Sequence, residues 1–198
     1  MKGFIIGVLI TLLVIFAGFY LTVKFGLFPI GADNPPGAYE KRIASMALDT
    51  YVDKHAPKQQ NPTEINSANL ITGVQEYEEH CALCHGSYNQ RISPMSSKFN
   101  PPVPQLLRRP SHDPDENFFW ITKHGIRLTA MPSWDGILED DEIWKIVTFL
   151  KVQDKLPPDV QAAWQAAANE HNPAEHQKEM EERREHEHSA APAAPPKK

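Results

Sequence analysis

Cysteine is scarce in this chain, with 2 in 198 residues, and that scarcity excludes a multi-disulfide scaffold and a four-cysteine zinc or iron–sulfur site. No block of basic residues stands out, and the formal net charge is −5, which argues against nucleic-acid binding. No glycine-rich phosphate loop of the P-loop or dinucleotide type occurs, so nucleotide chemistry is not expected. Strand-like alternation is missing as well, and the segments that remain read as helices and loops.

Charge is also absent from Gly3 to Val23, where only Thr11, Tyr20 and Thr22 interrupt an apolar run. At a helical rise of about 1.5 Å per residue the run spans about 32 Å, enough to cross the hydrocarbon core of a bilayer. Lys24 then extends its ammonium to the interface. A cleaved signal peptide is the competing reading. The run exceeds the roughly 7–15 residues of a signal core, and no small-x-small cleavage site follows, so a retained anchor over residues 1–24 is expected. Charges flanking the run do not settle its orientation.

Residues 25–66 read as an exit loop, a short helix and a linker. In the helix, Tyr39, Ile43, Met46, Ala47 and Tyr51 share one face, which is expected to lie on the main domain, with a partner contact as the alternative. The compact, all-α part spans 67–156. Ser67 caps its first helix, and Asp113-Pro114-Asp115-Glu116 supplies a cap, a proline at the first position and a Glu at the third. Gly125 ends that second helix, and a last core helix covers Asp140 to Gln153. Residues 157–198 form an extension: an Ala-rich helical stretch over Asp159–Asn169, a charged run over Glu175–Glu187, and an Ala/Pro/Lys end. The charged run has no apolar face to bury, so the extension is read as solvated or disordered. His171, His176, His186 and His188 belong to that solvated tail rather than to a metal site.

Both cysteines fall in Cys81-Ala82-Leu83-Cys84-His85, the attachment signature of c-type haem. Cysteines three apart on a helical turn point the same way and can each bond a haem vinyl group, while the adjacent His85 aims an imidazole nitrogen at the iron. A thioredoxin-like site lacks its βαβ context, a Cys81–Cys84 disulfide would close a tiny loop, and a zinc site lacks two further ligands.

Around this pentapeptide the chain resembles the class I, mitochondrial-type cytochrome c family. Gly73-Val74-Gln75-Glu76-Tyr77 resembles the family's N-terminal helix, and Leu138-Glu139-Asp140-Asp141-Glu142-Ile143-Trp144 the start of its C-terminal helix. Trp144 is then the expected aromatic partner of the first helix. Glu139 stands where the family usually has Ser or Thr. Met131-Pro132, after Gly125, occupies the family's distal-ligand position. The resemblance implies one covalently attached haem c, with His85 and Met131 as axial ligands and with Pro104, in Pro104-Gln105-Leu106, accepting the other ring N–H of His85. Pro101 and Pro102 are alternatives for that carbonyl. Met95, His112 and His124 compete with Met131 for the iron. Trp134 and Arg127 flank the Met131 loop as candidate neighbours of the haem propionates. Lys98, Arg108 and Arg109 form a small basic cluster that could steer an acidic partner.

The function implied is one-electron transfer, not enzymatic catalysis. The donor would be a membrane complex that oxidises quinol or another substrate, and the acceptor a redox protein or terminal oxidase. Haem attachment in bacteria implies the inner membrane, a single pass, and a haem domain on the periplasmic side. A fixed subunit of a respiratory or dehydrogenase complex, and a haem sensor or peroxidase-like enzyme with an open distal site, are the rival readings.

Overall fold

Apolar spacing and end caps account for where the helices begin and stop. The computed structural model describes residues 1–27, 30–108 and 113–170. Among these the chain is helical, without a strand. Helix α1, Lys2–Lys24, buries no residue and is long and apolar enough to cross a membrane. Two of its polar interruptions are satisfied within the helix, since the Thr11 and Thr22 hydroxyls each donate to the carbonyl four residues earlier at 2.9 Å.

Helix α2, Ala38–His55, meets the rest of the chain near its C-terminal end. Val52 is its buried residue, Asp53 accepts a hydrogen bond from Asn117 at 2.9 Å, and the Tyr51 ring stands edge-on to Trp120 at 5.6 Å. Of the face expected to pack inward, Tyr51 reaches the domain, while Tyr39, Ile43 and Met46 are 79%, 43% and 57% exposed. Contact is made by Tyr51, Val52 and Asp53, because only the last turns of α2 reach the domain.

Helix α3, Ser67–His80, is capped by Asn66, whose side chain accepts the Asn69 N–H at 2.9 Å. The cap thus lies one residue before Ser67. A single turn, α4, Ala82–His85, follows. Helix α5, Asp115–His124, by contrast starts one residue later than its sequence signals suggest, because Pro114 has an extended ψ of 141° and serves as the N-cap instead of entering the helix. Gly125 ends it. Helix α6, Asp140–Val152, starts from Glu139, whose N–H donates to the Glu142 carboxylate at 2.8 Å. That reciprocal cap offsets the missing Ser or Thr.

Helices α3 and α6 cross at Gly73. A Cβ there would stand 2.4 Å from the Lys145 carbonyl oxygen, so only glycine permits this approach. Tyr77 packs edge-on against Phe149 at 5.3 Å. Trp144, the expected partner, instead stacks on Phe119 of α5 at 4.2 Å. It lies on the α5 side of α6, whereas Phe149 lies on the α3 side.

Helix α7, Pro158–Glu170, belongs to this core, so the packed unit extends past the 156/157 boundary read from sequence. Trp164 is 1% exposed and stands edge-on to Phe149 at 4.8 Å and to Tyr88 at 5.2 Å. Its indole N–H donates to the buried Glu78, which also accepts the Tyr88 N–H at 2.9 Å. Arg91 lies over the Trp164 ring at 4.6 Å. The alanines made this segment look like a solvated helix, but Val160, Trp164, Ala167 and Ala168 form a buried face. The tail from His171 onward, with its four histidines, lies outside the described residues, as do Arg109 and His112.

Trp164→Ala should therefore lower the unfolding free energy of the haem-loaded protein by about 3–5 kcal/mol. Denaturant titration checks this, and a change below about 0.5 kcal/mol would return α7 to the status of a surface appendage.

Candidate functional site

Cys81 caps α3, and the turn of α4 brings Cys84 and His85 round beside it. The N–H groups of Cys84 and His85 both donate to the Cys81 carbonyl, at 3.1 and 2.9 Å. Neither cysteine is in a disulfide. Burial, reinforced by the neighbouring Cys84, Glu76 and Glu78, pushes the Cys81 thiol up to about 12, and burial also raises that of Cys84. A thiolate is therefore disfavoured here. A thioether sulfur, which carries no charge, suits the same buried position.

The His85 Nδ1 lies 2.8 Å from the Pro104 carbonyl oxygen. Burial lowers the pKa of this imidazole, partly offset by that hydrogen bond. The neutral ring thus donates from Nδ1 and keeps its Nε2 lone pair for another partner. Gln105 positions the Pro-rich loop for this contact. Its amide NH2 donates to the Cys84 carbonyl at 3.2 Å and to Val103 at 3.0 Å, and its oxygen accepts the Ser93 N–H at 2.6 Å. Behind the turn, the Tyr77 hydroxyl donates to the Gly86 carbonyl at 2.8 Å. Sequence reasoning passed over Gln105, Ser93 and Glu78. Only the adjacency of Gln105 to Pro104 hinted at its role.

The Met131 loop is strung between α5 and α6. Gly125, at φ +68°, starts it, and a Cβ there would lie 2.6 Å from the carbonyl group of Pro132. The loop is thus folded tightly back onto its own beginning. Ile126 N–H donates to the Met131 carbonyl at 3.1 Å, and the Thr129 hydroxyl donates to Ile126 at 2.8 Å while accepting the Met131 N–H at 3.1 Å. Met131 is half-buried. Trp134 donates its backbone N–H to the Lys123 carbonyl at 3.1 Å and sets its ring 4.9 Å from that of His80. Lys123 also pairs with Asp140 at 2.6 Å, tying the end of α5 to the start of α6.

The competing residues have other surroundings. The His124 ring leans on Trp120 at 4.7 Å on an exposed helix end. Met95 is 38% exposed in the loop after the cysteine turn. Arg127, Lys98 and Arg108 are exposed. Glu76, Glu79 and His80 place one potential ligand atom each within 4.8 Å, but Glu76 and His80 already pair with each other at 3.4 Å.

The family model for cytochrome c oxidase, cbb3-type, subunit III, matches residues 68–150. Cytochrome c6 of Tetradesmus obliquus is 31% identical over 84 residues, which cover 42% of this chain and 90% of that protein. The chain belongs to the class I c-type cytochromes. Its cofactor is covalently attached haem c, and it is an electron carrier rather than an enzyme.

Gly125→Ala tests the Met131 loop. The backbone at Gly125, φ +68° and ψ −172°, lies in a region open essentially to glycine alone and should cost about 1–3 kcal/mol in alanine, and the contact with Pro132 adds to it. The expected result is a lower denaturation midpoint; an intact midpoint would show that the loop does not depend on this turn.

Proposed function

We propose that the protein is a membrane-tethered one-electron carrier in which Cys81 and Cys84 hold the haem as thioethers and His85 and Met131 are the axial ligands. The observation that carries this reading is the His85–Pro104 hydrogen bond, which directs Nδ1 away and leaves Nε2 as the coordinating atom. Haem c, when bound, supplies an iron centre that gains and loses one electron. Pro104 and Gln105 hold the proximal imidazole in one orientation, and Gly125 and Thr129 shape the loop that presents the Met131 sulfur. A thioether ligand favours the reduced iron and so raises the potential relative to a second imidazole. If His85 and Met131 both held the iron, a haem bound here would offer oxygen or peroxide no site, which separates this reading from a sensor or peroxidase. Trp134 borders the Met131 loop and is the candidate neighbour of a propionate.

Helix α1 is the anchor in this reading, supported by its length, its lack of buried residues and its internally satisfied threonines. The haem domain then faces the periplasm from the inner membrane, with the short N-terminus in the cytoplasm. Tethering keeps the haem within a thin layer where membrane-bound partners are effectively concentrated. The donor is a membrane complex of the quinol-oxidising or dehydrogenase type, and the acceptor is a second redox protein or a terminal oxidase. One observation favours a second arrangement, a fixed place in a larger complex: the matching family model describes an oxidase subunit. Purification in mild detergent with mass analysis separates the two, since a lone chain supports the carrier and stoichiometric co-purification the subunit.

Met131→Ala should lower the reduction potential and let the reduced protein bind carbon monoxide at neutral pH. An unchanged potential and spectrum would move the distal ligand elsewhere. Replacing residues 1–24 by a cleavable export signal should release a soluble, haem-bearing protein; retention on membranes would assign the attachment to another part of the chain or to a partner.

A further inference from the structure

We propose that the outward face of α2 rests on the bilayer surface and sets the orientation of the haem domain, an inference that builds on α1 being a membrane anchor. Tyr39, Ile43 and Met46 lie within about 60° of one another around the helix and about 150° from Val52, the residue that α2 buries. The last turns of the helix are held to the domain through Tyr51, Val52 and Asp53, and the apolar strip over its earlier turns stands exposed. Arg42 and Lys54 border the strip at about 60° on either side. Their aliphatic stems can lie along it while their charged ends reach the phosphate level.

Continuity along the chain identifies the occupant as lipid. Exposed apolar side chains continue from the end of α1 to α2: Phe25 at 69%, Leu27 at 71%, Ile30 at 90%, then Tyr39. The linker is itself pinned, because the Asn34 carbonyl accepts a hydrogen bond from the Asn100 side chain at 2.5 Å. The start of α2 is thus held between an apolar span and the domain. An aromatic ring, a branched aliphatic and a flexible thioether, bordered by Arg42 and Lys54 with Asp53 on the Arg42 side, match the headgroup boundary. Three side chains on two turns fall well short of the roughly 800 Å² per partner of a standard protein interface. A strip of this size gives only weak, reversible adhesion by itself, and its effect comes from acting beside a permanent tether. Two attachments restrict rotation of the haem domain, where one would leave it free to tumble.

The test uses the full-length, haem-loaded protein in phospholipid nanodiscs, with a nitroxide at Ile43→Cys, at Ser45→Cys on another side of α2, or at Leu13→Cys in α1. Cys81 and Cys84 are consumed by the haem, so each variant carries one label. Relaxation by oxygen, which concentrates in lipid, is compared with relaxation by a water-soluble nickel complex. The expected oxygen-to-nickel ratio is several-fold higher at 43 than at 45, and highest at 13. Equal, water-like ratios at 43 and 45 with a lipid-like value at 13 would overturn the α2 contact and leave the anchor standing. A water-like value at 13 would overturn both. Shielding of position 43 from both reagents would show a protein covering the face and would also overturn the proposal.

Discussion

The close crossing of α3 and α6 at Gly73 governs where the cysteine turn and the Met131 loop lie. Cys81 sits at the end of α3, and the Met131 loop ends at the start of α6, so the separation of these helices sets how far the loop stands from the cysteine turn. The Lys145 carbonyl occupies the space where a Cβ would be at Gly73. Tyr77, one turn further along α3, fixes the same crossing through Phe149 and also reaches the Gly86 carbonyl behind the cysteine turn. A single residue thereby joins core packing to cofactor placement.

The site itself favours neutral groups. Burial disfavours a Cys81 thiolate and a charged His85, and the groups that replace them in a loaded cytochrome c, thioether sulfur and neutral imidazole, bring no uncompensated charge into the interior. The acids nearby are handled separately. Glu78 is buried but accepts from Trp164 and Tyr88, and Glu76 pairs with His80 towards the surface.

Besides α1, helices α2 and α7 lie outside the matched region of 68–150, and these two do different work. Helix α7 adds Trp164 to the core and clasps the segment after the cysteine turn through Glu78, Tyr88 and Arg91. Helix α2 adds little to the core. Its last turns dock on α5 while Tyr39, Ile43 and Met46 of its earlier turns stay exposed.

Local chemistry was legible in the chain because it depends on neighbours in sequence. The apolar span of α1, the Cys81–His85 turn, the glycine stop at Gly125 and the acidic start of α6 each follow from a few adjacent residues. Pro104 could be singled out because the resemblance supplied its position. Which side of α2 packs, that Trp144 stacks on Phe119 rather than meeting α3, and that an Ala-rich segment inserts Trp164 into the core were decided only by tertiary structure. In each case the side chain had two apolar directions or an ambiguous composition, and the choice depended on the partner surface that another helix brought within van der Waals reach.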